Sequence, residues 1–186
     1  MNLLNEIIWL KNKHKLRKIK FLFLDIDGVL TDGGLWYDAN GNVIKCFDVQ
    51  DGLGIKLLQE NGVEVIFISG GQGGSSEIRA KILGIKICLV GVKNKSNALK
   101  NLQTKFKINK EDSAYVGDDL NDISVKPLVS LLLAPKSANK IFKNHTHLTL
   151  SKEGGKGAIR ELSDRILEAK GYLQKYNCKG WVESNY

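Results

Sequence analysis

Phe21-Leu22-Phe23-Leu24-Asp25-Ile26-Asp27-Gly28-Val29-Leu30-Thr31-Asp32-Gly33 decides how the chain is read. Four consecutive apolar residues have the length and composition of a short strand buried on both faces, as in a parallel sheet. The run stops at two carboxylates two residues apart. Gly28 and Gly33 then supply the backbone freedom for a tight turn. A buried parallel strand carries its last side chains to the carboxyl edge of its sheet, where open α/β folds place ligands. Asp25 and Asp27 are therefore expected at that edge, pressed together beside apolar core. Carboxylates so placed repel, and a bound cation or a retained proton relieves the repulsion.

Working outward, the same pattern recurs. Leu35–Tyr37 and Val43–Phe47 flank Asp38-Ala39-Asn40-Gly41-Asn42, which predicts a β-hairpin inserted after the first strand, a flap over residues 35–47 beside the Asp25 edge. Asp51-Gly52-Leu53 opens a helix to about Glu60, closed by Asn61-Gly62. Val63–Ile68 is a second strand, ending at Ser69 before Gly70-Gly71-Gln72-Gly73-Gly74 and a helix start near Glu77. A hydroxyl, glycines and a helix start suit a phosphate, although the Gly-Lys-Ser/Thr ending of a nucleotide-binding loop is missing. Ile85–Val90 is a third strand, with Lys93 and Lys95 after it and a helix from Ser96 to about Phe106. Ser113–Val116 precedes Gly117-Asp118-Asp119-Leu120-Asn121-Asp122. Val129–Leu133 and Leu148–Leu150 are further strands; Ile159, Leu162, Ile166, Leu167 and Leu173 mark a C-terminal helix. Alternating strands and helices predict an α/β fold: a Rossmann-like parallel sheet flanked by helices, with the hairpin insertion and no large cap domain.

A chain of 186 residues fits one domain, expected over 18–176. Residues 1–17 read as a basic amphipathic helix or extension, and 177–186 as a tail without periodicity. The net charge of +8 is partly local, because Lys11, Lys13, Lys15, Arg17, Lys18 and Lys20 crowd the N-terminus. No nucleic-acid reading motif accompanies it, so no nucleic-acid partner is expected. No 18-residue apolar run predicts a membrane span. The positive block follows the apolar one, the reverse of a secretory signal. Cys46, Cys88 and Cys178 form no CxxC pair, which argues against a zinc or disulfide framework and for a reducing, cytoplasmic location. His145-Thr146-His147 lacks a third zinc ligand.

Four strand ends thus carry polar groups: Asp25 with Asp27, Ser69, Lys95, and Asp118 with Asp119 and Asp122. A parallel sheet puts them all on one edge. Carboxylate and carbonyl oxygens suit Mg²⁺, and Ser69 with Lys95 can bind the oxygens of a phosphate facing that ion. The sum is a phosphoryl-transfer site.

On Asp25-Ile26-Asp27-Gly28-Val29-Leu30-Thr31, Ser69, Lys95 and Gly117-Asp118-Asp119-Leu120-Asn121-Asp122, the chain resembles the haloacid dehalogenase-like phosphohydrolases. Asp51-Gly52-Leu53-Gly54-Ile55 and Gly154-Gly155-Lys156-Gly157-Ala158-Ile159-Arg160-Glu161 make it most similar to the small capless phosphatases of 3-deoxy-D-manno-octulosonate 8-phosphate and related sialic-acid-type sugar phosphates. The resemblance covers roughly residues 18–171. It implies Asp25 as nucleophile, forming an aspartyl-phosphate, and Asp27 as the acid and then the base. It implies Mg²⁺ on the Asp25 carboxylate, the Asp27 backbone carbonyl and Asp118. Ser69, Gly70 and Lys95 would hold the phosphate, with Asp119 and Asp122 orienting Lys95 and metal-bound waters. Helix capping is the plainer role for those two acids. Asp27, Asp48, Gln50, Asp51, Gly52, Lys56, Arg79, Lys95 and Lys156 would grip the sugar. It further implies a homotetramer in which a neighbouring subunit closes the pocket, and a place in lipopolysaccharide biosynthesis.

Gln50, Lys56, Gly71 and Lys156 stand where those phosphatases usually have Arg. Arg grips a carboxylate with two parallel bonds and Lys as a point charge only, so the grip on an acidic sugar is altered. A nonulosonate 9-phosphate is the alternative substrate. A receiver-type phosphoacceptor domain shares the sheet and the acids, but Ser69 ends the strand where its acceptor would lie. A catalytically silent scaffold is the remaining alternative, although every motif acid is present.

Overall fold

The computed structural model describes residues 3–182. In chain order the elements are α1 (Leu3–Lys18), β1 (Phe21–Leu24), β2 (Trp36–Tyr37), β3 (Val43–Ile44), α2 (Val49–Glu60), β4 (Glu64–Ile68), α3 (Ser75–Ile82), β5 (Cys88–Leu89), α4 (Lys95–Phe106), β6 (Ser113–Val116), β7 (Leu131–Ala134), α5 (Lys140–Lys143), β8 (Leu148–Thr149), α6 (Ala158–Lys170) and α7 (Leu173–Lys179). Two 3-10 segments, Lys110–Asp112 and Leu120–Leu128, precede β6 and β7. Six strands form one sheet in the order β5-β4-β1-β6-β7-β8, and β2 pairs with β3 as a separate antiparallel ribbon. Every pairing in the large sheet is parallel. β1 is central, so its carboxyl end lies between those of β4 and β6.

The side-chain period of two builds a core on each face. Leu22 and Leu24 of β1, with Val65, Phe67, Ala114 and Val116, pack with Ile55 and Leu58 of α2 and with Ile159, Leu162 and Ile166 of α6. Phe23, Ile66, Tyr115 and Leu132 point the other way, into Leu99 and Leu102 of α4, Val125 and Phe142. Both faces are covered, which is why the strands read as unbroken apolar runs. No helix among the described residues is long and apolar enough to cross a membrane.

The boundaries differ from expectation in physically simple ways. The third strand keeps only Cys88–Leu89, because it lies at the edge and pairs with β4 alone. The C-terminal helix stops at Gly171, whose φ of 79° is left-handed, and Leu173 begins a new helix. That helix takes in Asn177 to Lys179 of the expected tail, and the Trp181 indole beyond it donates to Glu60 Oε2 at 2.8 Å. Residues 183–186 lie outside the described residues. The N-terminal helix continues through its basic stretch to Lys18 and packs on α6. Trp9 and Leu16 are buried there, and Arg165 holds Glu6 and lies over the Trp9 ring at 5.2 Å.

Candidate active site

The carboxyl ends of β1, β4 and β6 meet in an open cleft of about 450 Å³ lined by Asp25, Asp27, Gly28, Ser69, Gly70, Gly71, Asp118 and Asp119, among others. Asp25 sits at its floor. Its Oδ1 accepts the Ile26 backbone N–H at 2.7 Å and its Oδ2 accepts from Lys95 Nζ at 2.7 Å. Lys95 begins α4 and is 3 % exposed; its ammonium also donates to Asp122 Oδ1 at 2.7 Å. An ammonium has three donors, so one remains for a ligand.

Asp122 is fully buried and its oxygens are saturated. Oδ1 accepts from Lys95 and from the Tyr115 hydroxyl at 2.7 Å, and Oδ2 accepts the Asp118 N–H at 3.0 Å. Burial, then the Asp122 charge, pushes the Tyr115 phenol well above its ordinary range, so it stays a donor. Asp119 Oδ1 accepts the Leu120 N–H at 2.7 Å, capping the 3-10 helix, which is the plainer of the two roles set out for it.

Carboxylate oxygens of Asp25, Asp118 and Asp122 lie within 4.8 Å of one another. The Asp118 backbone carbonyl accepts the Asn139 N–H at 2.8 Å, but its carboxylate accepts no hydrogen bond from any described residue. Burial, then repulsion from Asp25 and Asp122, pushes its carboxyl up to about 7. Burial, then Asp122, raises Asp25 to about 6 although Lys95 opposes the shift. For Lys95 itself, burial pulls the ammonium down, but Asp25 and Asp122 outweigh it and the net shift is upward. Two crowded acids, one without a donor, fit a hard divalent cation between Asp25 and Asp118, and Asp122 with all its acceptors filled stands behind them.

Without a metal, the raised pKa values set the sign of a pH effect. Between the unfolded value of 3.8 and the folded values near 6 and 7, the folded protein holds more protons than the unfolded chain. Stability therefore falls as pH rises through that window. The metal-free protein is expected to melt higher near about pH 5.5 than near about pH 8, with Mg²⁺ raising Tm more at the higher pH. Scanning calorimetry with EDTA and with Mg²⁺ measures both. A Mg²⁺ gain as large in acid as in base rejects an ion between Asp25 and Asp118.

Asp27 is held by a residue that sequence reasoning missed. Lys45, from the strand end of the hairpin, is buried, and its Nζ lies 2.8 Å from Asp27 Oδ1 and 2.9 Å from Oδ2, with Ser76 Oγ at 3.2 Å. The readable signal was a lysine inside the apolar run of a flap expected to lie over paired carboxylates. Ser69 is 1 % exposed and accepts the Gly71 N–H at 3.1 Å. A Cβ at Gly71 would fall 2.7 Å from Asp27 Oδ2, so any larger residue there would crowd Asp27 and Lys45.

Of the residues expected to grip the sugar, Asp27 lines this cleft and Lys95 bonds Asp25 at its floor, whereas Asp48, Gln50, Asp51, Gly52, Lys56, Arg79 and Lys156 are not in its lining. Asp48 caps α2, accepting the Gln50 and Asp51 N–H groups. Asp51 is 1 % exposed and accepts the Arg160 N–H at 2.8 Å, capping α6 from another helix. Burial raises its carboxyl to about 6, against the Arg160 bond. This bond joins α2 to α6. Arg79 packs against Gly52, donates to the Asp48 carbonyl at 2.9 Å and lies 5.7 Å from the Phe47 ring. Lys56 lies over Trp181 at 6.0 Å, Lys156 pairs with Glu153 at 3.1 Å, and Gln50 is exposed near Gly157.

Gly154 and Gly155 press on the catalytic loop. A Cβ at Gly154 would lie 1.9 Å from the Gly28 carbonyl oxygen, and one at Gly155 2.6 Å from the Thr31 carbonyl carbon. The Gly155 N–H donates to the Val29 carbonyl at 3.0 Å. Only glycine permits this approach.

A family model for haloacid dehalogenase-like hydrolases matches residues 85–162. Over 173 residues the chain is 43 % identical to the 3-deoxy-D-manno-octulosonate 8-phosphate phosphatase of Haemophilus influenzae, spanning 92 % of this chain and 96 % of that one. The chain belongs to the haloacid dehalogenase-like hydrolases. Within them it belongs to the octulosonate phosphatase family. The Escherichia coli K12 relative of the same name is 38 % identical, over 87 % of this chain and 86 % of its own. A Moraxella catarrhalis octulosonate phosphatase in complex with magnesium ion, phosphate ion and the sugar superposes with a TM-score of 0.87 at 32 % identity, covering 90 % and 97 % of the two chains. The cobalt-bound Haemophilus influenzae enzyme gives 0.85 at 41 % identity, covering 89 % and 98 %.

Proposed function

We propose that the chain is a Mg²⁺-dependent phosphatase that hydrolyses the ester of 3-deoxy-D-manno-octulosonate 8-phosphate through an aspartyl-phosphate on Asp25. The observation that carries the reading is the Asp118 carboxylate, facing Asp25 with no donor of its own, while Lys95 bridges Asp25 to Asp122. The Asp25 and Asp118 carboxylates and the Asp27 backbone carbonyl would hold Mg²⁺. When bound, the ion neutralises phosphate charge and draws the ester toward Asp25.

Each remaining step falls to this chain. Lys95 and Ser69 hold the phosphoryl oxygens at the floor of the cleft. A carboxylate oxygen of Asp25 attacks phosphorus, the ester P–O bond breaks, and Asp27 gives its proton to the leaving sugar oxygen. Asp27 then takes a proton from water, the water oxygen bonds to phosphorus, and the Asp25–phosphorus bond breaks to release phosphate. Lys45 fixes the orientation of Asp27 through both half-reactions, and the hairpin that carries it limits water entry from that side. The main-chain segment at 47–52, braced by Arg79, supports sugar recognition beside the cleft, with Gln50 exposed and Gly52 buried against Arg79.

Leu35, Trp36, Tyr37 and Ile44 leave an apolar, exposed face on the hairpin. Such a face supports a homotetramer in which a neighbour completes the pocket and brings Lys156 to it. A cytoplasmic location and a role in lipopolysaccharide biosynthesis accord with the sugar.

A kinetic panel tests the reading: octulosonate 8-phosphate, nonulosonate 9-phosphates and hexose phosphates, each with Mg²⁺ and with EDTA. The expected result is a preference of about tenfold or more in kcat/KM for the octulosonate ester, dependent on Mg²⁺. A nonulosonate preference would trace to Gln50, Gly71 and Lys156 and move the substrate. Equal rates would leave the chemistry without the sugar, and no turnover on any ester would favour the silent scaffold.

A further inference from the structure

A second cavity, of about 690 Å³, opens at the opposite edge of the sheet from the catalytic cleft. It lies between the last turns of α1, the 3-10 turn before β6, the 3-10 helix 120–128 and the start of β7. Its volume falls in the range of small-molecule sites, roughly 300–1,000 Å³. Four lysines converge on it: Lys15 and Lys18 from α1, Lys110, and Lys126. Glu111 is the one carboxylate in the lining. Among the described residues none of the four lysines is paired with a carboxylate, and Lys15 Nζ reaches only the Ser130 carbonyl, at 3.5 Å. Ile123, Pro127 and Val129 form an apolar wall.

A concavity of one charge sign focuses its field and concentrates counter-ions. The crowding is felt by His147, which also lines the cavity. Burial first, then Lys15 and Lys126, then Lys110, hold its imidazole below the ordinary value, and its Nδ1 accepts the Leu132 N–H at 2.9 Å. A neutral ring whose Nδ1 is an acceptor carries its proton on Nε2, which makes it a further donor. An extended polyanion would need cations along a face. Here they gather in a pocket of nucleotide size beside apolar side chains.

We propose that this cavity is an anion site distinct from the catalytic cleft, and that it takes a small molecule carrying two or more phosphate groups. Its occupant would touch Ile123 and Lys126, on the same 3-10 helix that presents Asp122 to Lys95. The proposal does not rest on the phosphatase reading.

Isothermal titration calorimetry of the EDTA-treated full chain with ATP, and separately with inorganic tripolyphosphate, tests it. Without divalent metal the cleft carboxylates repel both probes, so binding there is suppressed. Expected is one saturable site per chain, weakened about tenfold or more in Lys15→Gln/Lys126→Gln and retained in Lys15→Arg/Lys126→Arg. The double variant Lys100→Gln/Lys105→Gln on α4 leaves affinity unchanged. ATP binding tighter than tripolyphosphate brings in the apolar wall; equal binding assigns the affinity to the phosphates alone, and both support the site. No saturable binding at about millimolar probe, or equal losses in the two glutamine variants, overturns it by reducing the cavity to diffuse surface charge.

Discussion

Asp25→Asn is expected to lower turnover of the sugar phosphate by roughly three orders of magnitude or more while leaving a folded protein. The amide has no charged oxygen to attack phosphorus, and nothing else at the floor of the cleft can take its place. The change removes a charge that Asp122 and Asp118 both repel, so the metal-free Tm should not fall. It should also abolish most of the Tm gain from Mg²⁺, since half of the carboxylate pair is gone. Phosphate release and calorimetry on the same preparation decide the point. Turnover that survives Asp25→Asn removes the aspartyl-phosphate from the account.

The second large effect is expected at Lys95, and it divides between stability and catalysis. Lys95→Met leaves the carboxylates of Asp25 and Asp122, 5 % and 0 % exposed, without their common cation. Breaking a buried pair on one side costs about 3–5 kcal/mol, most of it from the charge left behind. Urea unfolding near neutral pH should show that loss, and it should shrink as pH falls and the carboxyls take up protons. Turnover should drop about 100-fold or more, because the phosphoryl oxygens lose a fixed cation. Lys95→Met/Asp122→Asn separates the two effects. It should recover much of the stability and none of the turnover; recovery of both would make Lys95 a structural residue only.

Much of this site could be read before any coordinates, for one reason. A parallel sheet sends every strand end to the same edge, so local signals at residues 25–27, 69, 95 and 118–122 became a spatial cluster without knowledge of a single contact. The same logic is blind to partners brought from elsewhere in the chain. Asp51 has the sequence look of an acid at a helix start, yet it serves the start of a different helix, and only tertiary packing reveals that. Tyr115 sits inside an apolar strand, and nothing local tells that its hydroxyl meets Asp122. Lys45 is hard to single out locally, because hairpin lysines usually point to water. The run of apolar residues at helical spacing continued past Gly171, and the left-handed turn there outweighed it.

The contact of Gly154 and Gly155 with the turn after β1 has a consequence for how the protein is made. The nucleophile emerges from the ribosome early, but the backbone wall behind its turn comes from a segment near the other end of the chain. Core strands can begin to associate during translation. The turn bearing Asp25 and Asp27 stays without its support until residues 154 and 155 have been made, so chains cut short before them should accumulate as inert products rather than as partly active ones.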